Sequence, residues 1–192
     1  MKNYEKKVFI YLILSLIFLS LVVFLIGDNK IFLFINIRMA SSILDFLVLK
    51  IFIPLFSLLA IFPFLMLFSK NKNLGVFSLI SGPICYLLGN LIKSIFSFPR
   101  PFDVLPARTL GPWHASPFSF PSTTSMLAFG FAIPVLLKRP KLGKFLLFLA
   151  FLVGFSVIYT GFHFPKDVIA GIFFSALIVF VFEKFFEKIG LL

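Results

Sequence analysis

The chain is dominated by long apolar runs that carry almost no charged side chains. The hydrocarbon core of a bilayer is about 30 Å thick, so about 20 apolar residues are enough to cross it as an α-helix. Because no water is available there, backbone N–H and C=O groups must pair within the segment, which favours helices. Hydrophobic residues make up 60% of the 192 residues, and the mean hydropathy is +1.11. The sequence therefore predicts an all-α, polytopic membrane helical bundle.

Six apolar runs divide the sequence, and we predict that each forms one transmembrane helix. They cover residues 8–26, 43–68, 74–97, 122–137, 145–160 and 167–182. A secretory signal peptide can begin like the first run. This run is long for one and lacks a small-residue cleavage site, so we interpret it as an uncleaved span. Residues 31–40 are typical of an interfacial helix. With no linker or internal repeat, we expect a single transmembrane domain over residues 1–192.

The distribution of positive charge indicates the membrane topology. The net charge is +11, but the basic residues lie in short clusters between apolar runs, which argues against a nucleic-acid partner. Six spans place both termini on one side, together with eleven of the 18 lysines and arginines. These are Lys2, Lys6, Lys7, Lys70, Lys72, Lys138, Arg139, Lys141, Lys144, Lys184 and Lys188. The positive-inside rule makes that side cytoplasmic, so we predict a bacterial inner-membrane protein with three polar segments facing outward.

The last of these polar segments, residues 163–171, holds the first candidate site. Asp167 follows His163 by four residues, with Pro165 between them. Proline suits the first turn of a helix, so we expect His163 at the mouth of the last span and Asp167 one turn inside it. A carboxylate that accepts a hydrogen bond from one imidazole nitrogen leaves the other as a nucleophile or base. The alternative is a histidine at the lipid headgroups beside a snorkelling Lys166.

The other two outward segments contain groups suited to an anion. Lys93 and Arg100 are seven residues apart, about two helical turns, and Arg100 lies between two prolines. A lysine and an arginine together can bind a phosphate, one as a point charge and the other as a planar fork. Ser122 follows Pro121 at the start of the fourth run, where free N–H groups favour anions. The alternatives are a snorkelling lysine and an ordinary helix N-cap.

These three segments resemble the type 2 phosphatidic acid phosphatase superfamily. The family motifs are Lys-x6-Arg-Pro, then Pro-Ser-Gly-His, then Ser-Arg-x5-His-x3-Asp. Here they stand as Lys93…Arg100-Pro101, Pro121-Ser122-Thr123-Thr124 and Ser156-Val157…His163…Asp167. Their order, spacing and placement on one membrane face match the family, and the resemblance covers a core of about residues 70–183.

The resemblance implies a role for each matching residue. His163 attacks phosphorus and forms a phosphohistidine, and Asp167 orients it. The phosphate is bound by Lys93, Arg100 and Ser122.

Two positions depart from the family pattern. Thr124 stands where the family has the histidine that protonates the leaving oxygen, and Val157 stands where it has another phosphate-binding arginine. Residues 98–120 contain Arg108 and His114, which are candidates to replace the missing groups, with Thr124 itself as a hydrogen-bond donor. The alternative is that both loop residues simply face the headgroups.

We therefore expect a membrane lipid phosphatase that acts at the outer face on a lipid phosphate or diphosphate from the bilayer. Polyprenyl diphosphate, lipid A phosphate, phosphatidylglycerol phosphate and phosphatidic acid are all compatible substrates. A lipid phosphotransferase and a catalytically impaired member that only binds lipid phosphates are the alternatives. His163 and Asp167 lack the further ligands that a metal site needs, so we predict no metal and no cofactor. The single Cys85 excludes a disulfide within the chain.

Overall fold

The computed structural model describes residues 3–111, 116–190 and 192, and all regular secondary structure in these ranges is helical. The α-helices are α1 (Asn3–Ile26), α2 (Asp28–Leu33), α3 (Ser42–Leu47), α4 (Ile53–Met66), α5 (Lys72–Phe96), α6 (Pro101–Val104), α7 (Thr123–Lys138), α8 (Pro140–Tyr159) and α9 (Pro165–Lys188). A π-helical turn at Phe34–Arg38 extends α2, and another at Val48–Phe52 joins α3 to α4. The predicted all-α class is confirmed.

Five helical segments of the described chain are long and apolar enough to cross a membrane. They are Tyr4–Ile26, Ser42–Met66, Lys72–Val104, Pro140–Tyr159 and Pro165–Lys188. The fourth predicted span corresponds to α7, which is apolar but has only 16 residues. The multi-pass membrane protein is therefore confirmed, with five helices of full spanning length and one shorter helix.

Helix α7 lies at the centre of the bundle and packs against α5, α8 and α9. Its close approach to α5 depends on Gly82 and Gly130, because a Cβ at Gly130 would lie 2.9 Å from the Cα of Gly82. Small residues allow helices in lipid to approach in this way. Against α9, a Cβ at Gly171 would lie 2.9 Å from the carbonyl oxygen of Ser122. This second contact brings the start of α7 against the first turns of α9, where the candidate site residues lie.

The bundle has two ends, which we name by their connections. The loop end contains residues 27–41, 97–111, 116–122 and 160–164, and the turn end contains residues 67–71, Arg139 and the C-terminal turn of α9. Residues 31–40, predicted as an interfacial helix, lie at the loop end within α2 and its π-helical extension. The three segments that the sequence predicted to face outward thus meet at one end of the bundle.

At the turn end a single lysine joins three helices. The Nζ of Lys138 in α7 lies 2.8 Å from a carboxylate oxygen of Glu5 in α1. It lies 2.8 Å from Glu183 and 3.2 Å from Glu187, both in α9. Glu5 and Glu183 are almost fully buried, at 1% and 0% exposure. Carboxylates buried in this way need a charged partner, so Lys138 stabilises the contact of α1 and α9 with α7.

Candidate active site

The backbone around His163 is held by the C-terminal end of α8. The N–H groups of Phe162 and His163 both donate to the carbonyl of Val157, each at 3.1 Å. Pro165 then occupies the first turn of α9, as predicted. The N–H of Phe164 donates to Asp167 Oδ2 at 2.8 Å, which caps the helix. Although Val157 carries no charge, its carbonyl therefore positions His163.

The imidazole of His163 lies between a carboxylate and a guanidinium. Its Nδ1 is 3.5 Å from Asp167 Oδ2, and its Nε2 is 3.5 Å from Nη1 of Arg100. Burial lowers the pKa of His163 to about 4, despite the opposing effect of Asp167, so the ring is neutral near pH 7. A proton on Nδ1 facing Asp167 leaves the lone pair on Nε2, directed toward the cation. This is the geometry that a histidine nucleophile needs.

Arg100 caps the short helix α6, and neutral oxygens surround its guanidinium. Nε donates to the carbonyl of Ser116 at 2.6 Å, and Nη1 donates to the carbonyl of Phe162 at 2.7 Å. Nη2 donates to Ser116 Oγ at 3.2 Å. The residue is only 4% exposed. Arg100 therefore links the loop of residues 97–122 to the backbone next to His163, as well as facing its ring.

Lys93, in the last turn of α5, is buried in a similar way. Its Nζ donates to the carbonyls of Phe118 and Ser119, both at 2.8 Å, and the residue is 3% exposed. Within the described ranges, neither Lys93 nor Arg100 forms an ion pair with a carboxylate. Buried cations without a direct ion-pair partner are costly, so this end of the bundle is suited to an anionic ligand.

Ser122 is the N-cap of α7, which was the alternative to a phosphate-binding role. Its Oγ accepts hydrogen bonds from the N–H of Ser125 at 3.3 Å and from Ser125 Oγ at 3.0 Å. Its own N–H donates to the carbonyl of Asp167 at 3.0 Å. Ser122 thus joins the second motif to the third, and phosphate binding by its hydroxyl stays a prediction. Thr124 lies one residue inside the helix and is half-buried.

The structure places Arg108 in an ion pair of its own. Its Nη2 lies 2.9 and 2.8 Å from the two carboxylate oxygens of Asp45, and its guanidinium lies over the ring of Tyr159 at 5.8 Å. The Tyr159 hydroxyl also donates to Asp45, at 2.5 Å. In this arrangement Arg108 connects α3 to α8, and its proposed compensating role stays a prediction. His114 lies outside the described residues.

One pair near the site escaped the sequence analysis, which treated Lys166 only as a residue that snorkels. Lys166 in the first turn of α9 meets Asp28, 138 positions earlier in the chain. The available signal was weak: an acidic residue directly after the first apolar run, on the predicted outer face.

Comparisons with known proteins identify the family of this chain. The profile of the PAP2 superfamily matches residues 74–190. The chain is 36% identical over 115 residues to the bacitracin transport permease protein BcrC of Bacillus licheniformis, covering 58% of this chain and 57% of that protein. It is 32% identical over 117 residues to the undecaprenyl-diphosphatase BcrC of Bacillus subtilis, covering 61% and 60%. The matched stretch thus spans about three fifths of the length of these relatives.

Solved structures extend the similarity of fold to nearly the whole chain. A transmembrane PAP2-type phosphatidylglycerolphosphate phosphatase from Bacillus subtilis superimposes with a TM-score of 0.62 at 24% identity, covering 94% of this chain and 96% of that chain. LpxE of Aquifex aeolicus gives a TM-score of 0.60 at 27% identity, covering 82% and 94%. The profile match covers well over half of the sequence and includes all three motifs. This chain is a member of the PAP2 superfamily.

Proposed function

We propose that this protein is an integral membrane phosphohydrolase that cleaves lipid diphosphates through a phosphohistidine intermediate. The observation that carries the proposal is the position of His163, with Nδ1 facing Asp167 and Nε2 facing Arg100. A neutral buried imidazole with one nitrogen oriented and the other directed at a cation is suited to attack on phosphorus.

The reaction proceeds in two displacements at the terminal phosphorus. Nε2 of His163 attacks, the bond between phosphorus and the bridging oxygen breaks, and that oxygen leaves with the electron pair as part of the lipid monophosphate. Water then attacks the phosphohistidine, releases inorganic phosphate and restores the neutral ring. Lys93 and Arg100 stabilise the charge on the transferred phosphoryl group, as buried cations do in other phosphoryl-transfer sites.

Thr124 favours a diphosphate over a monophosphate as the substrate. A hydroxyl cannot release a proton near neutral pH, so the leaving group must depart as an anion. A lipid monophosphate would expel a strongly basic alkoxide, whereas a lipid diphosphate expels a phosphate monoester that is stable as an anion. Two relatives carry the name undecaprenyl-diphosphatase, which supports a polyprenyl diphosphate. Lipid A phosphate, phosphatidylglycerol phosphate and phosphatidic acid are lesser candidates.

The distribution of basic residues supports a site on the outer face. The basic clusters at residues 70–72 and 138–144 belong to the turn end, and His163 belongs to the loop end. The positive-inside rule assigns the turn end to the cytoplasm. The loop end then faces the periplasm or the cell exterior, with both termini of this chain in the cytoplasm.

The test is phosphate release by the purified protein from a panel of lipid phosphates. Undecaprenyl diphosphate, phosphatidylglycerol phosphate, lipid A and phosphatidic acid are presented in the same detergent to the parent and to His163→Ala. We expect turnover of the diphosphate by the parent and none by the variant. A base-stable, acid-labile phosphoryl label on the parent, absent from His163→Ala, would identify the intermediate.

Loss of the two motif residues at Thr124 and Val157 supports a second candidate, a member that binds lipid phosphates without cleaving them. Tight binding of the diphosphate without release of phosphate by the parent would favour this candidate. Transfer of the phosphoryl group to an alcohol, with little free phosphate, would instead identify a phosphotransferase.

A further inference from the structure

A deep apolar groove runs between α1 and α9, beside the candidate active site. Its volume is about 940 Å³. Its wall on α9 includes Ile169, Ala170 and Phe173, which begin six residues after His163, and Phe120 closes it near the second motif. Asp28 and Lys166 form its polar rim at the loop end. At one end the groove therefore borders the segments that carry the second and third motifs, and it is apolar along most of its length.

Lys166 occupies the junction between this groove and the site. Its Nζ lies 4.9 Å from the ring centre of Phe164 and 5.7 Å from that of Phe98. Phe164 follows His163 directly in the chain, and Phe98 precedes Arg100 by two residues. The ammonium group thus stands between the backbone segments that carry the nucleophile and the arginine.

The ion pair that holds Lys166 is loose. Its N–H donates to Asp28 Oδ1 at 3.0 Å, which fixes the backbone. Its Nζ lies 3.4 Å from Asp28 Oδ2 without forming a hydrogen bond, and the lysine side chain is 47% exposed. The Asp28 side chain is only 16% exposed, so the lysine keeps this contact, and its solvent-facing N–H groups are free to donate to a second anion.

We propose that Lys166 binds the inner phosphate of a lipid diphosphate, the leaving group, while the lipid chain lies in the groove between α1 and α9. This inference rests on the proposed function, and it assigns to Lys166 a role in the preference for diphosphates over monophosphates. In this proposal the groove binds the hydrocarbon chain of the substrate, not a bilayer phospholipid or a second copy of the protein.

The chemistry of the reaction gives Lys166 a defined task. With the terminal phosphoryl group at His163, the inner phosphate lies one bridging oxygen away and the lipid chain follows it. When the phosphorus–oxygen bond breaks, negative charge grows on that inner phosphate. A lysine there stabilises the developing charge without donating a proton, which offsets the absence of an acid at Thr124.

The continuity of charge and apolar surface favours a lipid diphosphate as the occupant. Moving from the site outward, the protein presents buried cations, then one half-exposed cation, then apolar side chains. A lipid diphosphate presents the matching order of outer phosphate, inner phosphate and hydrocarbon chain. A zwitterionic phospholipid lacks the second phosphate that Lys166 would meet.

The test compares a polyprenyl diphosphate with the monophosphate of the same chain length. For Lys166→Met, which keeps the length and removes the charge, we expect kcat/KM on the diphosphate to fall about tenfold or more. We expect a change of less than about threefold on the monophosphate. Lys166→Arg should restore most of the loss. Lys30→Met, an exposed lysine of α2 on the same face, gives the same change of net charge and should leave both substrates unaffected.

Binding is measured in parallel, so that the result does not depend on turnover. The probes are methylene-bridged polyprenyl diphosphonate and the corresponding monophosphonate. Lys166→Met should weaken the diphosphonate alone, and Ala170→Phe should weaken long-chain diphosphonates but not an isoprenyl-length analogue. If the parent releases no phosphate, the proposed function is wrong. The affinities of the parent and Lys166→Met for the two phosphonates would still test whether Lys166 binds the inner phosphate. Equal loss on diphosphate and monophosphate ligands, or no loss on either, would overturn the role given to Lys166.

Discussion

The two ends of the bundle bury opposite balances of charge. At the turn end one lysine, Lys138, is surrounded by three carboxylates of the same chain. At the loop end Lys93 and Arg100 are bound by main-chain carbonyls and a serine hydroxyl. The carboxylate of Asp167 faces His163, and that of Asp103 accepts from the N–H of Arg100. The cation of the turn end therefore has an excess of carboxylate partners, whereas Lys93 and Arg100 at the loop end form no ion pair with a carboxylate of the described residues.

This difference in charge pairing distinguishes a structural cluster from a binding site. A buried charge that has its partner inside the chain is costly to separate from that partner, so removal of either one destabilises the fold. A buried cation that is held only by carbonyl oxygens is oriented but not neutralised, and an anionic ligand can supply the missing negative charge. The expected consequences are opposite: changes at the loop end should affect turnover, and changes at the turn end should affect stability.

After the loss of turnover in His163→Ala, the largest effect should come from Asp167→Asn. The asparagine oxygen can still accept from the Phe164 N–H, so the start of α9 is preserved. The same oxygen position, Oδ2, faces Nδ1 of His163, so the variant keeps the tautomer but loses the negative charge that stabilises the ring as it becomes positive during attack. We expect kcat to fall by 10²–10⁴-fold, with a melting temperature close to that of the parent. A loss of stability with unchanged kcat would contradict the assignment of Asp167 to the site.

At the turn end, Lys138→Met should do the reverse. Three carboxylates would lose their cation, and the folded state should be destabilised by about 3 kcal/mol. For a chain of this size that is a fall of roughly 6–12 °C in melting temperature, measured by thermal shift in detergent. Turnover per folded molecule should not change. Lys141→Met, an exposed lysine three residues away, is the control and should leave the melting temperature unchanged.

The pH dependence should sharpen the contrast further. Burial lowers the pKa of His163 to about 4, with Lys93 and Arg100 acting in the same direction and Asp167 opposing them. Between about pH 6.5 and 4 the unfolded chain binds more protons at this ring than the folded chain, so stability falls as the pH drops through this window, by up to about 3 kcal/mol. The parent should therefore lose more stability than His163→Gln over this range. Its kcat/KM should decline only near pH 4, and an activity midpoint near 6.5 would show that the ring titrates normally.

The smallest effect expected is on substrate preference in Thr124→His. A histidine at this position would supply the missing acid, so a lipid monophosphate should gain about tenfold or more in kcat/KM and a diphosphate much less. The measurement is the ratio of kcat/KM for polyprenyl diphosphate to that for phosphatidic acid, in one detergent. If the histidine accelerates both substrates alike, Thr124 does not set the preference.

Most of the helical architecture was predictable because it depends on local properties of the chain. The run of residues 8–26 became α1, Asn3–Ile26, and the run of 74–97 became α5, Lys72–Phe96. Lipid imposes one rule on every apolar segment, so length and hydropathy are sufficient to place a helix. The fourth run was harder to assign as a span, because α7 at the bundle centre has only 16 residues.

The candidate site was predictable in part, for the same reason. The spacing of His163, Pro165 and Asp167 lies within one helical turn, and the observed contact between His163 and Asp167 follows from it. Arg100 was assigned to a phosphate, and its guanidinium does face His163. The surroundings of Ser122 were harder to predict. Its N–H donates to the carbonyl of Asp167, and the spacing of residues in the sequence does not reveal such a contact between two helices.

The sequence by itself determined the helices, their order, the end of the bundle where polar residues gather and the local geometry of the histidine. Only the tertiary structure decided which charges pair. Arg108 pairs with Asp45 across 63 positions, Lys166 meets Asp28 across 138 and Lys138 meets Glu5 across 133. The reason is physical: helix formation in lipid depends on neighbouring residues, whereas the partner of a charge depends on which distant helices pack together and on what remains within a few ångströms once they do.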